Sequence, residues 1–227
     1  MTSTLRPIVA CLAVTLALAA PAYAQRETEQ VDRTIPFQSG GRLRLKNFSG
    51  EVRITGSDTP EVSIHAVRRA TRERLDRIKL SIETSGSEVI INANDRSYQS
   101  DEHDNVVDTT FEIRVPRQTS VDVTSFSSGI TVEDVDGTHQ AKNFSGDIRL
   151  LNVSGPVRAK TFSGDIEMRV PGAEGANVSF STFSGDIVTD LPLTLVRKSR
   201  KRTDATLYGG GREVTVETFS GDVRINR

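Results

Sequence analysis

The stretch FSGDIRLLNVSGPVRAKTFSGDIEMRV, Phe144–Val170, consists of three successive blocks of nine residues. Two similar blocks, Phe126–Asp134 and Val135–Asn143, precede it. Further copies of the phrase Phe-Ser-Gly followed by an acidic residue begin at Phe48, Phe183 and Phe219. A fixed internal period this short is typical of stacked structural units, so the repeat predicts a scaffold and leaves the activity open.

Each block reads as a short strand and a corner. Ile148 and Leu150 point to one side of the strand, and Arg149 points to the other. Ser145-Gly146 forms the corner, where glycine tolerates a positive φ. Two blocks make one coil of about 18 residues. The sequence therefore predicts an all-β fold, a β-solenoid or β-helix-like stack of such coils.

The aromatic residues follow the same period. Phe opens alternate blocks, and stacked coils about 4.8 Å apart place Phe over Phe. We expect these rings to be buried and to contribute about 2–3 kcal/mol each. Phe37 lies before the repeats, so we expect it to contribute less to stability.

The same register makes two predictions about polar side chains. Arg149 and Glu167 become cross-strand neighbours of opposite charge. The residues that directly precede Phe form a polar ladder, which consists of Asn143, Thr161, Thr182 and Thr218.

The N-terminus has the pattern of an export signal. Arg6 provides a positive charge, Ile8–Ala20 is apolar, and Ala22-Tyr23-Ala24 fits a cleavage site, so residues 1–24 are expected to be removed. An alternative treats Cys11 as an acylated lipobox cysteine. Cys11 is the only cysteine, so a chain cleaved after Ala24 has no disulfide. No other apolar run predicts a transmembrane anchor. The formal net charge of −1 argues against nucleic-acid binding.

The rest of the chain divides into an irregular part and a part with the regular nine-residue repeat. Residues 25–116 predict an irregular N-terminal β region, with one or two helical turns in Ala70–Arg77, where the strand pattern stops. Residues 117–227 predict the repeat solenoid. We expect the two parts to be continuous as one domain.

The repeated phrases resemble a known family. They are NFSGEVRI at Asn47–Ile54, TFSGDI at Thr161–Ile166 and GGGREVTVETFSGDVRI at Gly209–Ile225. They are similar to the bacterial β-strand-repeat family labelled “putative adhesin”, a domain family of unknown function. The resemblance implies an exported, all-β, solenoid-like protein, and the family supplies no catalytic residues.

An acidic residue follows the glycine of each phrase, and the array contributes four: Asp147, Asp165, Asp186 and Asp222. Stacked carboxylates repel one another, and bound calcium would remove that cost. The glycine-rich calcium consensus is absent, however, and Asp is common in such turns. Solvated turn residues are therefore favoured over a calcium site, and no cofactor is predicted.

The strongest local charge feature is the basic run in Arg197–Arg202, which we expect to form a loop. It comprises Arg197, Lys198, Arg200, Lys201 and Arg202. Such a run either is a solvated surface or meets an anionic envelope component, such as lipid head groups, or an acidic protein. Solenoid edges offer a second route, self-association by strand pairing.

Candidate catalytic groups are few. The chain has three histidines without a metal-binding spacing, and no G-x-S-x-G motif. Asp101–Asp104 could ligate a metal but is typical of a solvated loop. His139 takes a core position of the repeat. The sequence favours an exported, non-enzymatic envelope protein that acts as a binding, adhesion or scaffolding surface. The alternative is a carbohydrate-active β-helix enzyme, a polysaccharide lyase or hydrolase.

Overall fold

A computed structural model describes residues 26–95, 106–172, 174–199 and 201–227 of the chain. Within these ranges the protein forms nineteen strands and one short helix. The predicted signal peptide, residues 1–24, and the acidic stretch Asp101–Asp104 lie outside the described residues.

The elements that precede the array are β1 (Arg26–Pro36), β2 (Arg42–Lys46), β3 (Val52–Ser57), β4 (Glu61–Thr71), α1 (Arg72–Arg77), β5 (Lys79–Ser85), β6 (Glu88–Asp95) and β7 (Asp108–Pro116). The strands of the array are β8 (Ser120–Thr124), β9 (Ile130–Glu133), β10 (His139–Ser145), β11 (Ile148–Leu151), β12 (Val157–Ser163), β13 (Ile166–Arg169), β14 (Ala176–Ser184), β15 (Ile187–Thr189), β16 (Leu193–Lys198), β17 (Arg202–Leu207), β18 (Arg212–Ser220) and β19 (Val223–Asn226).

The strands form two sheets. The nine-stranded sheet has the order β1-β4-β7-β3-β9-β11-β13-β19-β15, and the ten-stranded sheet has the order β16-β17-β14-β18-β12-β10-β8-β2-β6-β5. Except at β16 and β17, pairing within the array is parallel and in register, so Ile148 lies between Ile130 and Ile166. The predicted all-β, solenoid-like architecture is confirmed.

The core lies between the two sheets. Strands β11, β12 and β13 alternate buried and exposed residues, as the repeat predicts, with Ile148, Leu150, Ile166 and Met168 almost fully buried. Burial of these aliphatic side chains is the main stabilising contribution, at about 1.5–3 kcal/mol for each large side chain.

The N-terminal region joins the same stack. Strand β2 pairs with β8, and β3 pairs with β9, both in parallel. A single hydrophobic cluster extends from Phe37 to Ile225 and so includes both regions. Helix α1 occupies the stretch without a strand pattern, and its Leu75 packs in a second, small cluster with Ala70, Ile78 and Val107.

The order of the last strands in space differs from their order in the sequence. Strand β18 lies between β12 and β14, and β19 lies between β13 and β15. The final coil is therefore inserted into the stack. Strands β16 and β17 pair in antiparallel fashion and extend the ten-stranded sheet beyond β14.

Candidate functional site

Six phenylalanine rings form one continuous stack along the corner of the repeats. In spatial order they are Phe48, Phe126, Phe144, Phe162, Phe219 and Phe183, with neighbouring centroids 4.7–5.0 Å apart. The rings from Phe126 onward are within 4° of parallel. This spacing is the distance between hydrogen-bonded strands, so the backbone sets the ring stack. We call these six residues the Phe ladder.

The Phe ladder lies outside the core. Phe126, Phe144, Phe162, Phe183 and Phe219 are 45–55% exposed, whereas Phe37 is only 4% exposed. The prediction that the repeat phenylalanines are buried was therefore wrong. Phe37, which was expected to contribute less to stability, lies in the core. Because each ring covers the face of its neighbour, the ladder presents ring edges to solvent.

The corner geometry explains the exposure. In β12, Thr161 is buried and Phe162 points outward. Counting backward by two from buried Ile166 would place Phe162 inside, but Gly164 intervenes with φ +143° and breaks the alternation. A Cβ on Gly164 would overlap the carbonyl oxygen of Gly146, so the tight corner requires glycine.

The predicted polar ladder beside the corner is confirmed, and it is buried. Asn143 is in register with Thr161, Thr161 with Thr218, and Thr218 with Thr182. The Thr218 hydroxyl donates to the carbonyl oxygen of Gly164 at 3.1 Å. Because these side chains satisfy buried carbonyl groups of the corner, they hold the Phe ladder in position.

A column of mostly basic residues runs beside the Phe ladder. The residues two positions before each Phe of the ladder are in register with one another: Lys46, Thr124, Lys142, Lys160, Glu217 and Ser181. Arg202 of the neighbouring strand β17 is in register with Ser181 and ends the column. Lys160 binds the single acidic member, Glu217, at 2.9 Å. We call Lys46, Lys142, Lys160 and Arg202 the basic column.

An open groove lies between these two columns. It encloses about 560 Å³ and is lined by four ladder rings, three lysines and the threonines of the corner. The Nζ atom of Lys201 lies 3.4 Å from the centroid of the Phe183 ring, a cation–π contact at the end of the ladder. Aromatic edges and ammonium groups therefore share one surface.

The structure places the basic run at the edge of the stack. Arg197 and Lys198 end β16, Arg202 begins β17, and Lys201 lies in the turn between them. The run is thus a hairpin and only its turn is a loop, contrary to the expected loop. Arg202 pairs with Asp204 at 2.9 Å. Arg200 lies outside the described residues.

The four aspartates form a ladder on the other side of the corner. The backbone N–H of Asp165 donates to Asp147 Oδ1 at 3.0 Å, that of Asp222 donates to Asp165 Oδ1 at 2.9 Å, and that of Asp186 donates to Asp222 Oδ1 at 3.0 Å. Arg224 binds both Asp165 and Asp222. The Asp222 N–H and then Arg224 hold the pKa of Asp165 below its usual range. The carboxylates of Asp147, Asp165 and Asp222 act as hydrogen-bond acceptors of the corner.

No three His, Cys, Asp or Glu side chains in the described ranges are grouped so that they could hold a metal ion. His139 is buried in register with Val121 and Val157, as its core position predicted. One ring nitrogen, Nε2, lies 3.0 Å from the carbonyl oxygen of Ser154, and burial lowers the pKa of the imidazole. The geometry gives His139 a structural position between the sheets.

Sequence reasoning missed the exposed Phe ladder and its basic column. A usable signal was present, since Lys142 and Phe144, like Lys160 and Phe162, are two residues apart and so share one face of a strand. A lysine on that face indicates that the Phe faces solvent too.

The sequence model of the Toastrack DUF4097 family matches residues 108–226, just over half of the chain. The chain belongs to this family. The match includes most of the Phe ladder and the whole basic hairpin. Among curated proteins, no sequence matches the chain.

A solved structure shares the fold of this chain. A “putative cell adhesion protein” from Clostridium sporogenes ATCC 15579 is 13% identical, with a TM-score of 0.62 over 89% of this chain and 98% of that chain. A “putative adhesin” from Bacteroides fragilis NCTC 9343 is 10% identical, with a TM-score of 0.41 over 87% of this chain and 96% of that one. The likeness to the Clostridium protein extends the shared fold over the N-terminal region.

Proposed function

We propose that this protein is an exported, non-enzymatic envelope protein that binds its partner along the Phe ladder and the basic column. The observation that carries the proposal is the continuous row of half-exposed phenylalanines. Contiguous exposed apolar surface rimmed by charged residues marks interaction sites in soluble proteins. A related fold in a protein described as a “putative cell adhesion protein” agrees with a binding role.

The scaffold suits such a role. We infer coils of about 18 residues from the in-register pairing of Ile130, Ile148 and Ile166, and one continuous domain from the shared core. Stacking identical corners repeats one chemical pattern along a line, which favours recognition of an extended partner. A helix long and apolar enough to span a membrane is absent from the described part of the chain.

The proposal also rests on the state of the carboxylates. A glycoside hydrolase needs a pair of carboxyl groups, about 5–9.5 Å apart, that are available to substrate. The carboxylates of Asp147, Asp165 and Asp222 instead accept backbone N–H groups and bind arginines. A binding surface therefore explains the exposed groups better than a catalytic cleft does.

The basic hairpin is a second proposed contact. The hairpin exposes four basic side chains at the end of the Phe ladder: Arg197, Lys198, Lys201 and Arg202. An anionic envelope component that is bound along the ladder would therefore contact them too.

Strands β15 and β16 are edge strands, and the exposed Leu195 and Val196 of β16 offer a surface for self-association.

In-cell cross-linking tests the proposed function. Three proteins are compared: the unaltered chain, the ladder variant Phe144→Gln/Phe162→Gln, and the edge variant Leu195→Gln/Val196→Gln. We expect the ladder variant to lose its cross-linked envelope partners, while the edge variant keeps them. An unchanged partner set in the ladder variant would show that the ladder is not the binding surface.

A further inference from the structure

The Phe ladder and the basic column lie on the same face of the same sheet. Lys142 and Phe144 are two residues apart in β10, and Lys160 and Phe162 are two residues apart in β12, with buried residues between them. Side chains in this relation project from one face of a strand, about 6.6 Å apart along it. The ten-stranded sheet thus carries an apolar line and a basic line side by side.

The basic line has a net positive charge. Its in-register positions hold Lys46, Lys142, Lys160 and Arg202 against one carboxylate, Glu217. Within the described ranges, neither Lys46 nor Lys142 has a carboxylate oxygen within 4.0 Å, whereas Lys160 is paired with Glu217. Two ammonium groups beside the rings are therefore available to an anion.

The ladder exposes ring edges and not ring faces, and this difference distinguishes between the kinds of apolar partner that it can bind. Ligands that stack on aromatic side chains, as bases do, need an open ring face. Both faces of each half-exposed ring are covered: neighbouring rings lie 4.7–5.0 Å away, and the Lys201 ammonium group covers the outer face of Phe183. What is left is a strip of ring edges, which suits an unstructured hydrocarbon phase better than a flat sugar or base.

We propose that the partner of this surface is an anionic lipid bilayer, a proposal that rests on the proposed function of the same surface. The ring edges enter the boundary between head groups and acyl chains, and the lysines contact the lipid phosphates. Amphipathic helices with Phe on one side and Lys on the other bind membranes through these two contacts, and here one face of a sheet presents the same pair of side chains. Each lysine near an anionic surface adds to the affinity, and that addition is sensitive to salt.

Co-sedimentation with vesicles tests the proposal on the protein purified from producing cells. The probes are vesicles of phosphatidylglycerol mixed with phosphatidylcholine, vesicles of phosphatidylcholine alone, and soluble polygalacturonate. The variants are Phe144→Gln/Phe162→Gln and Lys46→Gln/Lys142→Gln. Arg33→Gln/Lys79→Gln is the matched charge control, because both residues are exposed and lie on the edge strands β1 and β5, outside the Phe ladder and the basic column.

We expect preferential binding to the anionic vesicles. The Lys46→Gln/Lys142→Gln variant should bind them about 30-fold more weakly. The Phe variant should also bind more weakly, and the control should bind like the unaltered protein. Circular dichroism melts verify that each variant is folded.

Three results would overturn the proposal: equal binding to neutral and anionic vesicles, binding unaffected by the Phe substitutions, or binding to polygalacturonate but not to vesicles. If vesicle binding is absent while the ladder variant still loses its partners in cells, the lipid assignment fails and the proposed function stands. If the ladder variant also keeps all its partners in cells, both fail.

Discussion

The outer corner and the interior of this protein use phenylalanine in opposite ways. The corner stacks six rings in line, five of them about half exposed, whereas Phe37, Phe111 and Phe180 are buried in the core. The most regular residue of the repeat is thus outside, and the core is built from less regular Ile, Val, Leu and Ala. In a stack of coils, a regular column indicates contact between copies of the same residue, and such contact does not require burial.

The largest effect should come from truncating an interior ring. Phe37→Ala and Phe111→Ala are expected to lower the free energy of unfolding by about 3–5 kcal/mol each, because they remove buried surface and leave a cavity. Phe144→Ala should cost less, about 2 kcal/mol, because it removes two stacked ring contacts of about 1 kcal/mol each at a half-exposed ring. Chemical denaturation measures both. Equal losses at Phe37 and Phe144 would remove the distinction between the interior and the corner.

The corner glycines set the boundary between the two regions. Gly164→Ala should cost about 3 kcal/mol or more, because it combines a positive φ with overlap against the Gly146 carbonyl. Gly172→Ala is the matched control, since Gly172 also has a positive φ, +60°, but nothing within 4 Å of an added Cβ. Denaturation midpoints that do not separate the two variants would show that the close approach of coils is not required.

The burial of His139 can be tested by the pH dependence of the free energy of unfolding. Burial lowers its folded-state pKa below the usual value of 6.5, so the unfolded state binds more protons once the pH falls below about 6.5. Stability contributed by neutral His139 should therefore decrease as the pH falls through 6.5 toward the folded-state pKa, by at most about 1.4 kcal/mol per pH unit. His139→Val, which matches Val121 and Val157 in register, should flatten this part of the profile. A profile unchanged by the substitution would contradict the buried, neutral imidazole.

Calcium should have the smallest effect. Backbone N–H groups and arginines already balance the charge of the Asp147, Asp165 and Asp222 carboxylates. Millimolar calcium or a chelator should therefore leave the melting temperature unchanged. A large rise with calcium would mean that the outer corner is held by metal and not by hydrogen bonds.

Much of the fold follows from the sequence. The alternation of Ile148 and Leu150, the pairing of Arg149 with Glu167 and the Asn/Thr ladder all agree with the structure. These features depend on strand parity and on a constant offset between coils, and both can be counted along the chain.

Two features could not be counted in this way. The outward direction of Phe162 depends on the φ of Gly164, which shifts the alternation between β12 and β13. The insertion of β18 and β19 into the stack depends on which edge the returning chain pairs with, and spacing along the sequence does not give that order. Of the candidate site, the basic run was found from composition, but its place beside the aromatic column required the three-dimensional arrangement.

The exposure of the Phe ladder can be measured directly. Uniform incorporation of 4-fluorophenylalanine gives one fluorine resonance for each of the nine phenylalanines. A soluble paramagnetic agent broadens the resonances of solvent-exposed rings only. We predict strong broadening for Phe126, Phe144, Phe162, Phe183 and Phe219, weaker broadening for the partly buried Phe48, and protection of Phe37, Phe111 and Phe180, with assignments from single Phe→Leu variants. Protection of Phe126, Phe144 and Phe162 together with the interior rings would contradict the account.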